Sequence, residues 1–466
     1  MSQQPRTRQE LYNLVSQRGK DEFILEEMIR LGFWPEQGEL PQDLADDIRQ
    51  MGEIRRELNE LRQESRRLQN EKILRQRLLK ERLAESRRKQ QENKERREKE
   101  RIAKAKAWER RKQTEIIYLG EDVSGGLNHT DCNEARLRSH NLPILGDAQQ
   151  IAHAMDITVG QLRFLAFNRK TATVSHYIRF KIPKKTGGER LISAPMPRLK
   201  QVQYWILENI LDKLPIHDAV HGFRRDRSIV TNAQPHVGAN IIINFDLQDF
   251  FPSISYKRVK GLFRSFGYSD MAATIFGLLC TEAELEEVAL DGKTYYVALG
   301  ERHLPQGSPA SPAITNLMCR RLDKRLTQMV QQWQFIYTRY ADDLTFSTTA
   351  ENPRICNILK NTNSIVQHEG FQINQKKTRI LRKSRQQEVT GIVVNDKLNI
   401  DRKTLRRFRA TLHQIEINGL NNVTWGNSKD VMASIQGFAN FVAMVNPEKG
   451  AKFIAQIQRI TQNYSL

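Results

Sequence analysis

Three acidic side chains, Asp246, Asp342 and Asp343, have the types and settings for phosphoryl chemistry. Asp342 and Asp343 are adjacent in the stretch FIYTRYADDLTFST (335–348), where two apolar, β-prone runs flank a short polar break. That pattern predicts a β-hairpin with Ala341, Asp342 and Asp343 at its tip. Neighbouring carboxylates repel, and one would hold its proton unless a cation neutralises the pair. A divalent cation that prefers hard oxygen ligands, Mg²⁺ above all, meets that need. An isolated Asp-Asp pair is more often a solvated turn, yet a plain turn between strands would carry Gly or Asn.

The elements that position these acids are two strands. IIINFD (241–246) is an apolar, β-branched run with the pattern of a strand buried on both faces, and it ends in Asp246. An acid at the end of such a strand lies at the sheet edge, where it can meet the hairpin tip. Three carboxylates from neighbouring strands can hold two Mg²⁺ ions, which clamp the attacking and leaving oxygens of an in-line phosphoryl displacement. This is the chemistry of a polymerase palm.

At 466 residues the chain is long enough for two or three domains. Its net charge of +20 points to a polyanionic partner, most simply nucleic acid. Four widely spaced cysteines with no CxxC pair predict neither a zinc site nor a disulfide framework. The lack of a long apolar run or a signal-like N-terminus predicts a soluble cytoplasmic protein with no membrane partner.

Along the chain, residues 1–40 read as a helical hairpin. Residues 41–118 form a basic segment with neither Gly nor Pro between Glu53 and Leu119. Lys and Arg number 23 there against 12 Glu between Met51 and Gln113, and a continuous helix of roughly 90 Å is predicted. Ile54, Leu58, Leu61 and Leu68 have the spacing of a short coiled coil. A solvated spacer, an RNA-binding rod and an oligomerisation helix all fit this composition. Residues 119–141 are turn-rich and read as a linker, beyond which the chain resembles a polymerase with fingers over 142–240, a palm over 241–398 and a helical thumb over 399–466.

Lys184, Lys185 and Arg190 surround the Gly187-Gly188 turn of a predicted hairpin, which suits a triphosphate or is simply exposed. Gln306, in LPQGSPASP, offers a planar amide where small residues let a base pair approach the backbone. Lys377 is either a proton donor to a leaving pyrophosphate or ordinary surface charge. His236, taken alone, is more often a satisfied polar residue than a ligand. Arg402, Lys403, Arg406, Arg407 and Arg409 give the first thumb helix a basic face suited to gripping a duplex.

The ordered set KKTGGER, NFDLQDFF, LPQGSPASP, YADD and GFQINQKKT resembles the fingers and palm of bacterial reverse transcriptases. Asn232-Ala233-Gln234-Pro235-His236 fits the NAxxH signature of retron reverse transcriptases, and Val389-Thr390-Gly391 fits their VTG signature. The resemblance covers about residues 142–466. It implies an α/β (α+β) right-hand polymerase with an antiparallel palm sheet, a helical thumb and an additional long N-terminal helix. It implies that Asp246, Asp342 and Asp343 bind two Mg²⁺ (or Mn²⁺), with the Leu247 carbonyl completing one shell. Asp249, Phe250 and Phe251 would line the nucleotide site, Phe251 at the position that excludes a ribose 2′-OH. Gln306 would contact the dNTP, Lys184, Lys185 and Arg190 its phosphates, and Lys377 the leaving group.

The same resemblance implies a structured non-coding RNA as template and primer, met by Asn232, Ala233, His236, Val389, Thr390 and Gly391, with Arg402 and Arg406 on the nucleic acid. Priming from the 2′-OH of an internal guanosine would give a branched RNA–DNA product, msDNA, used in anti-phage defence with a separate effector protein. The N-terminal 140 residues, absent from shorter family members, carry no effector chemistry. The alternatives are a group II intron-like or other defence reverse transcriptase with a 3′-OH primer, a non-catalytic RNA-binding scaffold, and a palm-fold nucleotide cyclase. The last has no use for LPQGSPASP or a basic thumb.

Overall fold

The computed structural model describes residues 7–18, 20–34, scattered positions of 47–61, and 72–184, 187–420, 423–426 and 430–463. The chain divides into two compact units, Met1–Ala105 and Lys106–Leu466. In the first, helices span Arg8–Arg18 and Lys20–Arg30. A helix over Lys72–Thr114 runs across the division. Its described side chains, from Leu78 on, are almost all exposed, and pairs such as Lys89–Glu85 (2.8 Å) and Arg88–Glu92 (3.4 Å) lie one turn apart along it. Each such pair contributes only a few tenths of a kcal/mol. Ile54, Leu58 and Leu61 are exposed, and Leu68 of the proposed coiled-coil seam lies outside the described residues.

The second unit carries the strands. These are β1 (Thr171–Ala172), β2 (Tyr177–Pro183), β3 (Glu189–Pro195), β4 (Ile241–Asp246), β5 (Leu285–Leu290) and β6 (Lys293–Ala298). They continue with β7 (Ile336–Tyr340), β8 (Asp343–Thr348), β9 (Arg379–Arg382), β10 (Glu388–Val389) and β11 (Ile392–Val393). The central antiparallel sheet has the order β7-β8-β4-β9, and β2 and β3 form a separate hairpin.

The continuous apolar run of β4 follows from its position between two cores. Ile241, Ile243 and Phe245 join a core with Val259, Phe263 and Phe276 of the helices Tyr256–Phe266 and Asp270–Cys280. Ile242, on the opposite face, joins a second core with Leu405, Phe408 and Leu412. That second core is built by the helices Arg402–Asn418, Val431–Val445 and Pro447–Asn463, the expected helical thumb. A strand covered on both faces loses the alternating pattern, as read from the sequence.

One expectation of the sequence needs correction. The 119–141 segment is not a free linker: Leu119, Val123, Leu127 and Leu137 are buried in the first core. Their spacing lacks a helical or strand period, so the turn-rich composition hid the anchors. Residues 311–331 form two helices, Ser311–Met318 and Arg320–Gln331, which meet at Cys319. Thr158 and Gln161 form a reciprocal capping box at the helix Val159–Ala166.

Candidate active site

Strands β7 and β8 are joined by Ala341 and Asp342, with Tyr340 directly opposite Asp343. Ala341 has a left-handed backbone (φ 56°) at the first turn position, where a two-residue hairpin prefers Gly. Several contacts hold it. Arg339 Nη1 donates to the Ala341 carbonyl at 3.0 Å, and the Leu247 amide donates to the Asp342 carbonyl at 3.0 Å. Gly222 lies so close that a Cβ there would stand 2.5 Å from the Ala341 nitrogen.

Arg339 is the hidden anchor of this turn. Wholly buried, it donates to both carboxylate oxygens of the equally buried Asp323 at 2.8 Å and to Asn316 Oδ1 at 3.1 Å. Tyr337 donates its hydroxyl to the same Asp323 at 2.8 Å. The fork geometry of guanidinium against carboxylate fixes orientation as well as charge. In the sequence Arg339 is a polar residue inside a strand run, with nothing to mark its partner 16 residues earlier.

Asp246 is the last residue of β4 and lies directly opposite Asp343. The three acids read from the sequence are therefore brought to one end of the sheet. Burial pushes Asp342 upward, with Asp246 adding to the rise and Lys377 and Arg190 opposing it. Asp343 remains open to solvent at the strand end, yet its carboxyl is raised to about 7. Protein crowding on its other sides is the main cause, followed by the charges of Asp342 and Asp246.

Lys377 Nζ supplies a cation here, 2.8 Å from Asp246 Oδ2. Among the described residues, no three His, Cys, Asp or Glu side chains stand close enough to enclose an ion as they are. The donor set nonetheless suits one: hard oxygens forced together, with two carboxyls raised by burial and by their neighbours' negative charge.

The nucleotide residues are placed unevenly. Lys184 and Arg190 are exposed on the β2–β3 hairpin, and Arg190 is near enough to act on Asp342; Lys185 lies outside the described residues. Gln306 is half-buried and its carbonyl accepts from the Ser193 amide at 2.7 Å, tying this loop to β3. Gly307 lets the loop sit there, since a Cβ would be 2.8 Å from the Ser193 carbonyl oxygen. Asp249 is exposed with a left-handed backbone (φ 45°). Phe251 is half-buried, edge-on to Phe223 and Phe250. Phe250 is buried between Phe371 and the edge of Phe251.

A larger correction concerns the expected RNA contacts. Asn232, Ala233, His236 and Val389 are all wholly buried, and Ala233 and Val389 belong to the thumb core. Thr390 (φ 47°) is half-buried, leaving Gly391 exposed. Arg402 and Arg406 are exposed, as the basic face of the thumb requires. A cavity of about 820 Å³ opens beside β7, lined by His221, Thr231 and Gln234 among others, and none of the three acids lines it.

The reverse transcriptase (RNA-dependent DNA polymerase) family profile matches residues 182–394, which contain all three acids. The retron Mx162 reverse transcriptase of Myxococcus xanthus is 39% identical over 383 residues, covering 78% of this chain and 78% of that one. The chain belongs to the retron reverse transcriptases. The retron Mx65 enzyme of the same organism is 39% identical over 74% of this chain and 80% of its own. The retron Ec86 reverse transcriptase of Escherichia coli is 34% identical over 71% of this chain and 95% of its own. This retron reverse transcriptase is accordingly an RNA-directed DNA polymerase with an RNA template as partner, of a family that generally uses divalent metal ions. Among the described residues no helix is long and apolar enough to cross a membrane.

Proposed function

We propose that this enzyme copies a structured non-coding RNA, starting from the 2′-OH of an internal guanosine, to give a branched RNA–DNA product of the msDNA type. The observation that carries the reading is the convergence of Asp246, Asp342 and Asp343 on one sheet end. The three carboxylates, with the Leu247 carbonyl, would hold two Mg²⁺ or Mn²⁺ ions, which supply charge stabilisation for the attacking and leaving oxygens. The primer hydroxyl attacks the α-phosphorus of a dNTP, the bond to the β-phosphate breaks, and pyrophosphate leaves. Lys377, freed from Asp246, gives the leaving group its proton, while Lys184, Lys185 and Arg190 hold the phosphates. Gln306 and Phe251 orient base and sugar, with Asp249 beside them. Arg402 and Arg406 hold the nucleic-acid backbone, and the exposed Gly391 turn meets the RNA.

The NAxxH and VTG signatures support retron-type priming. They also support a role in anti-phage defence with a separate effector protein. RNA-directed dNTP incorporation should fall at least about 10³-fold in the double variant Asp342→Asn/Asp343→Asn. Undiminished synthesis by that variant would refute the site. Treating the cellular product with a 2′,5′-debranching enzyme should change its mobility; an unchanged product would indicate a 3′-OH primer.

A further inference from the structure

Both imidazole nitrogens of the buried His236 are engaged across the two strands that carry the catalytic turn. Nδ1 lies 2.6 Å from Ser347 Oγ on β8, and Nε2 lies 2.7 Å from Thr338 Oγ1 on β7. Cross-strand register sets Ile336 opposite Ser347, Thr338 opposite Thr345, and Tyr340 opposite Asp343. Because side chains alternate across a sheet, Thr338, Ser347 and Asp343 share one face. Asp246, opposite Asp343 on β4, shares it too. Thr338 is two residues from Tyr340, one pleat repeat or about 7 Å along the strand.

Strand β7 is the outermost of its sheet and pairs along its length only with β8. Its outer side is met by the 217–221 loop through the single bridge Val220–Arg339 and the hydrogen bonds around it. Those ties meet β7 only at Arg339, so the rest of the strand depends on its pairing with β8, and any slip there would tilt the turn and its two acids. A neutral imidazole, donor at one nitrogen and acceptor at the other, ties the two hydroxyls across the strand pair. Desolvation holds His236 neutral over the working range, its pKa lowered to about 3.

The turn Gln234–His236, which carries this imidazole, is fastened to the thumb core. The Gly238 amide donates to the Val394 carbonyl at 2.9 Å, and Ala233 packs in the thumb core with Val389 and Ile392. The two retron signatures thus meet at one buried junction between the thumb core and the face of the sheet that carries Asp246 and Asp343.

We propose that His236 is a positioning residue for DNA synthesis, clamping β7 to β8 so that Asp342 and Asp343 stand in register with Asp246. The clamp acts on the polymerase step itself and does not touch RNA. The inference is therefore separable from retron-type priming.

Steady-state kinetics on poly(rA)/oligo(dT), which lacks any structured RNA, test it. His236→Ala should lower kcat about 10- to 100-fold with the KM for dTTP within about twofold, and raise the Mg²⁺ concentration needed for half-maximal rate. His236→Gln, which keeps a donor and an acceptor, should restore most of both. Thr338→Val/Ser347→Ala should reproduce the loss, and adding His236→Ala to it should cost less than about a further twofold. Three results would overturn the clamp: full kcat in His236→Ala, losses that simply multiply in the combined variant, or a defect seen only with structured RNA. If His236→Ala does not fold, the Gln and hydroxyl variants decide. Wild-type kcat in the Val/Ala pair then contradicts the proposal, and a loss there with recovery in His236→Gln supports it.

Discussion

The β7–β8 hairpin is buried along most of its length and wired at its turn, whereas the β2–β3 hairpin is exposed over its outer half. In the first, a buried Arg339–Asp323 pair, the Gly222 approach and the Leu247 amide all converge on Ala341 and Asp342. In the second, Gly187 and Gly188 have open space around them, and the ion pair Lys181–Glu189 is exposed. Acids that must keep a fixed spacing to one another are set in a rigid frame. The cations proposed to meet an arriving substrate, Lys184 and Arg190, stand exposed on the other hairpin.

Substitutions should therefore act mainly on stability in the first hairpin and on substrate binding in the second. The largest effect belongs to Arg339→Met, which leaves Asp323 buried without its cation and should cost about 3–5 kcal/mol in chemical denaturation. Removing both partners in Arg339→Met/Asp323→Leu should return part of that stability without activity, since Ala341 still lacks its donor. A cost under about 1 kcal/mol for the single variant would remove Arg339 as anchor.

Next comes Gly222→Ala, whose Cβ meets backbone atoms that cannot yield cheaply. We expect a loss of about 1–3 kcal/mol in stability, and about tenfold in synthesis rate through displacement of the turn. Arg190→Ala should raise the KM for dNTP about five- to tenfold, the value of one charge-assisted contact. Its kcat should change little and its stability by less than about 0.5 kcal/mol. A fall in kcat with KM unchanged would place Arg190 on the acids and not on the nucleotide. The smallest effect is Gly187→Ala, where only the left-handed backbone (φ 88°) objects. It should cost no more than about 1 kcal/mol in thermal unfolding, below Gly222→Ala, and raise the KM for dNTP less than about twofold by displacing the tip.

Much of this arrangement was legible in the sequence because it is local. The run IIINFD, the hairpin around Ala341 and the thumb stripe of Leu405, Phe408, Leu412 and Ile415 each follow from periodicity. What escaped was long-range. Nothing near Arg339 announces Asp323, and nothing near His236 announces hydroxyls more than 100 residues away. The NAxxH and VTG signatures could be located but not interpreted, because a motif shows residue types and not which way they face. The buried anchors of the 119–141 segment were lost for a similar reason: single apolar residues between turns carry no period.

The central claim is that Asp246, Asp342 and Asp343 gather divalent ions at a primer end. Its most direct test is anomalous diffraction from Mn²⁺ in crystals holding an RNA template, a DNA primer and an unreactive dNTP analogue. The account predicts two peaks about 3.5–4 Å apart among the three carboxylates, with Lys377 drawn away from Asp246. Manganese bound elsewhere, with the Lys377–Asp246 pair intact beside a seated nucleotide, would contradict it.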